Sequence, residues 1–100
     1  MVLYKAVRSG NEAVVQLFIE NGADINVINN KERTPLHYAA KNGYKATVQF
    51  LVKNGADIHA KDKRNETALH FAAMSKVVLQ LLIKNGADLY VKNDNNKSAL

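Results

Sequence analysis

The chain has 100 residues, 47% of them apolar and 23% charged, a balance that suits one folded domain and excludes a highly charged, disordered tail. It contains no cysteine, which excludes disulfides, cysteine nucleophiles and thiolate zinc sites and fits a reducing, intracellular setting, cytoplasmic or nuclear. Fourteen Lys and Arg against nine Asp and Glu give a net charge of +5, which favours an acidic partner over a basic one.

Along the chain, Leu3, Ala6 and Val7 begin a short apolar stripe that Gly10 closes. Residues 13–19 form a seven-residue apolar block, far below the roughly 20 residues of a membrane span, and the start of the chain lacks the pattern of a secretion signal. Asn21-Gly22-Ala23-Asp24-Ile25 follows, with Gly22 placed as a helix stop. Thr34 is then a good N-cap, Pro35 suits the first helical position, and Leu36, Ala39 and Ala40 lay one apolar stripe over two turns. Gly43 ends that helix, and a second helix is expected over residues 45–53, apolar on more than one side and therefore buried on more than one side. Gly55 stops it. Residues 57–66 lose helical periodicity and read as an extended loop or short hairpin facing solvent. Thr67, Leu69 and His70 open another helix, the apolar block 77–83 supplies its partner, and Gly86 is the last stop.

These elements repeat. Thr34-Pro35-Leu36-His37-Tyr38-Ala39-Ala40 recurs 33 residues later as Thr67-Ala68-Leu69-His70-Phe71-Ala72-Ala73. The Asn-Gly-Ala-Asp turns at Gly22, Gly55 and Gly86 keep the same phase, with steps of 33 and then 31. The two missing residues fall just after Ala73, where Lys41-Asn42-Gly43 has no full counterpart. Periodicity alone implies a solenoid of stacked helix pairs. The two boxes, the three turns and the apolar blocks between them resemble the ankyrin repeat family over essentially the whole chain. The resemblance implies an all-α ankyrin-repeat solenoid with projecting loop or hairpin fingers. It also implies a non-enzymatic role, binding other proteins on the concave face made by finger tips and first helices. The expected organisation is a single domain spanning residues 1–100, with units at about 1–33, 34–66 and 67–97 and the start of a further unit at 98–100. Glu32, Asn65 and Asn96 stand where the family usually has a glycine, and Ala68 replaces the proline.

Few residues invite a chemical role. His37, His70 and His59 could suggest a metal or general base, but His37 and His70 occupy equivalent places in successive units, about 10 Å apart in a stacked array, and His59 lies at another phase. The family implies that the box histidine hydrogen-bonds neighbouring loop backbone. Ser9, Ser75 and Ser98 lack a nucleophile context, and the five glycines are used as helix stops and not as a phosphate loop. Asp24, Asp57 and Asp88 form a periodic row and are expected to bond their own turn backbone. No catalytic residue, metal or cofactor is expected.

Family geometry places fifteen exposed variable positions on the concave side. Nine are basic (Arg8, Lys31, Arg33, Lys41, Lys61, Lys63, Arg64, Lys92 and Lys97), and only Glu66 and Asp94 are acidic. Eight of these cations, all but Lys97, together with Tyr90 as an exposed aromatic in a finger, are the expected partner-binding residues, and the partner is a protein with an acidic segment or patch. Tyr38 and Phe71 are expected to pack between repeats. A nucleic acid or other polyanion is the competing ligand, and a structural spacer in a longer array is a third reading. Tyr4, Lys5 and Arg8 make the first helix polar enough to cap the array. Val77, Val78, Leu81 and Leu82 by contrast leave an apolar end, which implies either a fragment or self-association through the last repeat.

Overall fold

The computed structural model describes residues 3–99. Among these residues it contains six α-helices and no strand: α1 (Leu3–Ser9), α2 (Glu12–Glu20), α3 (Pro35–Lys41), α4 (Lys45–Lys53), α5 (Ala68–Phe71) and α6 (Lys76–Lys84), with a 3₁₀ turn over Ala72–Met74 continuing α5. Each first helix packs against its own second helix. The first helices α1, α3 and α5 form one layer and the second helices α2, α4 and α6 the other, in a body of 37 × 27 × 20 Å.

The period sets the core. Leu3, Leu36 and Leu69 stack at one phase and are fully buried. Ala6, Ala39 and Ala72 stack beside them, and their small side chains let the first helices approach closely. Val15, Val48, Leu51, Val78 and Leu82 close the core from the second layer. α4 buries Thr47, Val48 and Leu51, whereas Phe50 and Val52 are half-buried and Ala46 is exposed. The expectation that α4 is buried on several sides is therefore met on one side only, because its outer face has no third layer to pack against.

Helix ends follow the sequence closely. Thr34 caps α3 with its side chain, and Pro35 fills the first position. Past α2, α4 and α6 the amides of Ala23, Ala56 and Ala87 reach back to Phe18, Leu51 and Leu82. This closure needs left-handed backbone at the preceding residue, supplied by Gly22, Gly55 and Gly86 at φ of 88°, 97° and 94°.

The loops 57–66 and their equivalents are tight turns. In each finger an Asn or Asp organises the turn through Oδ1. Asn29 accepts from the Lys31 and Arg33 amides, Asp62 from those of Arg64 and Glu66, and Asn93 from those of Asn95 and Lys97. Glu32, Asn65 and Asn96 hold φ of 58°, 59° and 61°. The position where the family prefers glycine thus keeps its left-handed conformation in this chain without glycine. Successive fingers are joined by backbone bonds, Lys63 to the Lys31 carbonyl at 3.1 Å and Asp94 to the Arg64 carbonyl at 2.9 Å.

The last unit departs from the others as its shortened sequence requires. With no glycine to terminate it, α5 tightens into the 3₁₀ turn, and Ser75 starts α6 directly by accepting the Val78 amide. Of the four residues expected at an open apolar end, Val78 and Leu82 are fully buried and Leu81 is half-buried, which corrects the expectation for them, while Val77 remains 49% exposed. Val78 and Leu82 pack inward against their own unit. The open end consists instead of His70, Phe71, Ala73 and Leu79, which are half-buried or exposed where their counterparts His37, Tyr38, Ala40 and Val48 are buried. Residue 100, the last of the expected further unit, lies outside the described residues.

Candidate functional site: a basic strip along the finger turns and first helices

The finger turns and first helices bring together most of the cations expected at the binding face. A groove of about 540 Å³ is walled by Lys5, Arg8, Lys31, Arg33 and Lys41, with Tyr4, Tyr38, Ile28, Asn29 and Asn30 beside them. A second groove of about 420 Å³ is lined by Lys31, Arg33, Lys41, Asp62, Lys63 and Arg64. The shared residues Lys31, Arg33 and Lys41 make the two grooves one strip across the first and second units.

The charge of the strip is largely uncompensated. Arg33 and Asp62 form the one ion pair among the described residues, 3.3 Å from Nε to Oδ2. Asp62 is the only acid among the described residues that line either groove, and its side chain is almost wholly buried under Arg33 and the finger amides. Lys5, Arg8, Lys31, Lys41, Lys63 and Arg64 are exposed and have no carboxylate partner among the described residues. Like charges on one groove wall add their potentials, raising the local concentration of anionic groups and speeding their arrival. The opposite layer differs. Its groove, about 590 Å³ between α2, α4 and α6, mixes Glu12 with Lys53 and Lys84 around Ala46, Phe50, Val52 and Leu81.

Two arginines are held in place by aromatic rings. Arg8 lies over Tyr38 at 5.4 Å and Arg33 over Phe71 at 4.8 Å. Arg33 was expected as an exposed cation, and the structure corrects this. Its side chain is only 14% exposed and bonded to Asp62, so it braces the finger and has little charge left to offer. Lys61, Tyr90 and Lys92 are exposed but line neither groove. Tyr90 is 74% exposed in the third finger. Lys5 and Tyr4 are groove residues that the sequence reading assigned to an N-terminal cap. Asp62 was missed altogether, although Asn29, Asp62 and Asn93 recur at steps of 33 and 31, the same phase that marks the glycine turns.

Tyr38 and Phe71 pack between units as expected. Tyr38 is 9% exposed, stacks with Tyr4 at 6.2 Å and bonds Asn29, while Phe71 meets the His37 ring edge to face at 5.4 Å. The box histidines are structural. The Thr34 amide donates to His37 Nδ1 at 2.9 Å, so the ring proton sits on Nε2 and reaches the Glu66 carbonyl at 2.8 Å. Burial holds the His37 pKa below the usual 6.5, keeping the ring neutral. His70 repeats the arrangement, with the Thr67 amide at 3.0 Å and the Lys97 carbonyl at 3.1 Å. Asp24, Asp57 and Asp88 each accept the amide two residues on, at 2.9 Å. No group of three or more His, Cys, Asp or Glu able to hold a metal occurs among the described residues.

These features define a helical-repeat solenoid with hydrogen-bonded finger turns and basic grooves along them. A family model described as ankyrin repeats (3 copies) matches residues 1–62, and one described as ankyrin repeat matches residues 64–94. The chain belongs to the ankyrin repeat family, whose members are generally non-catalytic protein–protein interaction modules. A search of curated proteins finds no match. Among the described residues, no helix is long and apolar enough to cross a membrane.

Proposed function

We propose that this chain is an intracellular protein-binding module, acting as one domain, that captures an acidic segment of another protein on the basic strip of its first two units. The observation that carries the reading is the set of six unpaired cations converging on two joined grooves, with the single lining acid already spent on Arg33. Exposed charges of this kind steer encounters more than they hold complexes. The rest of the surface is slightly acidic by difference, so the attraction is sided.

Nucleic acid is the weaker reading. Binding of single strands relies on free aromatic faces for base stacking. In the strip, Tyr38 is covered by Arg8 and Tyr4, and Tyr90 stands apart in the third unit.

The test reverses Lys31, Lys41 and Lys63 to Glu. Arg33 is left intact because its loss would orphan buried Asp62. Association with an acidic peptide should slow by about tenfold or more at low salt, while the same reversal at Lys45 and Lys76 at the start of the second helices changes little. Equal binding by both mutants would refute the proposal, and tighter, salt-steep binding of random RNA or DNA than of acidic peptide would replace it.

A further inference from the structure

The basic strip stops at the third unit. Arg8 lies in the last turn of α1 and Lys41 ends α3, but the corresponding helix of the third unit ends on Met74. The finger tips change in the same direction. At the tip the first carries Lys31 and the second Lys63 and Arg64, whereas the third carries Asp94 and Asn95, and its exposed Lys92 and Lys97 line neither groove. No residue of α5 or of the third finger lines either basic groove.

What stands there instead is apolar. Met74 is 97% exposed at the position of Lys41, and beside it Phe71 is half-buried beneath the Arg33 guanidinium. The shortened connection produces this patch, because one methionine occupies the place that Lys41-Asn42-Gly43 fills in the preceding unit. A methionine almost wholly in water forgoes the burial that its side chain favours, and its flexible thioether adapts readily to an incoming apolar group.

From this change along the face we infer that this surface is bipolar. It takes one extended peptide whose acidic residues lie over the first two units and whose apolar residues rest on Met74 and its neighbours in the third. The inference builds on the acidic-partner reading above and adds the composition and the order of the ligand. Neighbouring helices pack about 10 Å apart and an extended chain advances roughly 3.3 Å per residue, so each unit spans about three ligand residues. The matching ligand is therefore about six acidic residues followed, in one chain direction or the other, by two or three apolar ones.

Four fluorescein-labelled peptides test this by fluorescence anisotropy: six glutamates alone, six glutamates followed by Leu-Leu-Phe, Leu-Leu-Phe followed by six glutamates, and six glutamates followed by Ser-Ser-Ser. One of the two apolar-ended peptides should bind about tenfold tighter than the serine-ended one, the gain expected from burying a single leucine. Met74→Ser should abolish that advantage without weakening the serine-ended peptide, and Met74→Leu should retain it. Because Met74 is 97% exposed, neither change should disturb the fold, which circular dichroism verifies. If the serine-ended peptide binds and the apolar end adds nothing, or if Met74→Ser weakens all four peptides alike, the bipolar inference is overturned while the acidic-partner reading stands. If no peptide binds, both fall together.

Discussion

Replacing His37 by alanine removes two hydrogen bonds at once, one buried and one part-buried, and leaves the Thr34 amide and the Glu66 carbonyl to be resatisfied. Both bonds are short, 2.9 and 2.8 Å, and the ring is about 1% exposed. A buried polar group left without its partner costs about 1–3 kcal/mol. The Glu66 carbonyl lies towards the finger, where water can enter, so the expected loss for the pair is about 2–4 kcal/mol rather than the full sum. His70 provides the control within the same molecule. It makes the same two bonds, but its ring is partly exposed and its Lys97 carbonyl partner is open to solvent. His70→Ala should therefore cost about 1 kcal/mol or less, since water replaces the ring. Urea unfolding of the three proteins measures the difference, and for a chain of this size each kcal/mol corresponds to about 4–8 °C in Tm. Binding to an acidic peptide should survive both changes wherever the protein remains folded. Equal losses at His37 and His70 would refute the reasoning that burial sets the cost, and unchanged stability with lost binding would show that His37 contacts the partner.

The same histidine gives a pH dependence. Its folded-state pKa is lowered by burial, so the unfolded chain binds the proton first, and this contribution to stability, complete above the ordinary histidine pKa of 6.5, should decline as the pH falls below that value. Urea midpoints between pH 7.5 and 5 check this, and the His37→Ala protein should lack that part of the slope. In the first finger, Glu32 holds left-handed backbone at φ 58°, a conformation disfavoured by about 1–2 kcal/mol for residues with a side chain. Glu32→Gly should therefore raise stability by about 0.5–1 kcal/mol after the larger entropy loss of glycine is allowed for, while Asn65→Gly should change it less because Asn tolerates that region, a contrast read directly from thermal midpoints.

The features legible in the sequence were those set by backbone geometry at a fixed period. Thr34, Pro35 and Gly43 delimit α3, and α4 runs from Lys45 to Lys53 as its apolar block predicts. The box histidine's bond to loop backbone followed from the family resemblance, and the aspartate turns from local Asx chemistry. The site was only partly legible, because sidedness depends on where a side chain goes after it leaves a known backbone position. Arg33 sits at a finger position that looks exposed, yet its guanidinium lies over Phe71 and bonds Asp62, 29 residues away. Lys5 was hidden for the opposite reason. A charge on the first helix reads as ordinary solvation until the packing of α1 against α3 places it beside Lys31 and Lys41. The end of the array failed similarly, because an apolar residue in a helix can face inward as well as outward, and Val78 and Leu82 face inward.

The two ends of the stack are therefore not equivalent. At the first unit Tyr4 stacks on Tyr38 and the first helix exposes Lys5 and Arg8, with Leu17 and Ile28 the apolar residues that face solvent elsewhere in the unit. At the last, His70, Phe71, Ala73 and Leu79 present the surface that an internal unit covers with its neighbour. Stability in a stacked array is the sum of weak units and strong interfaces, so the open interface is the place where added contact is worth most. Covering roughly 200 Å² of apolar surface there, at about 25 cal/mol per Å², would contribute on the order of 5 kcal/mol. Appending one consensus repeat should therefore raise the melting temperature by more than 10 °C, at about 4–8 °C per kcal/mol. It should also suppress any concentration-dependent dimer that forms through this face. Hydrogen exchange gives the decisive reading. Protection should rise most in α5 and α6, beside the new contact, and least in α1. An extended protein that melts with the original, or gains protection uniformly, would show that the exposed ring and side chains of the last unit already meet their needs in water.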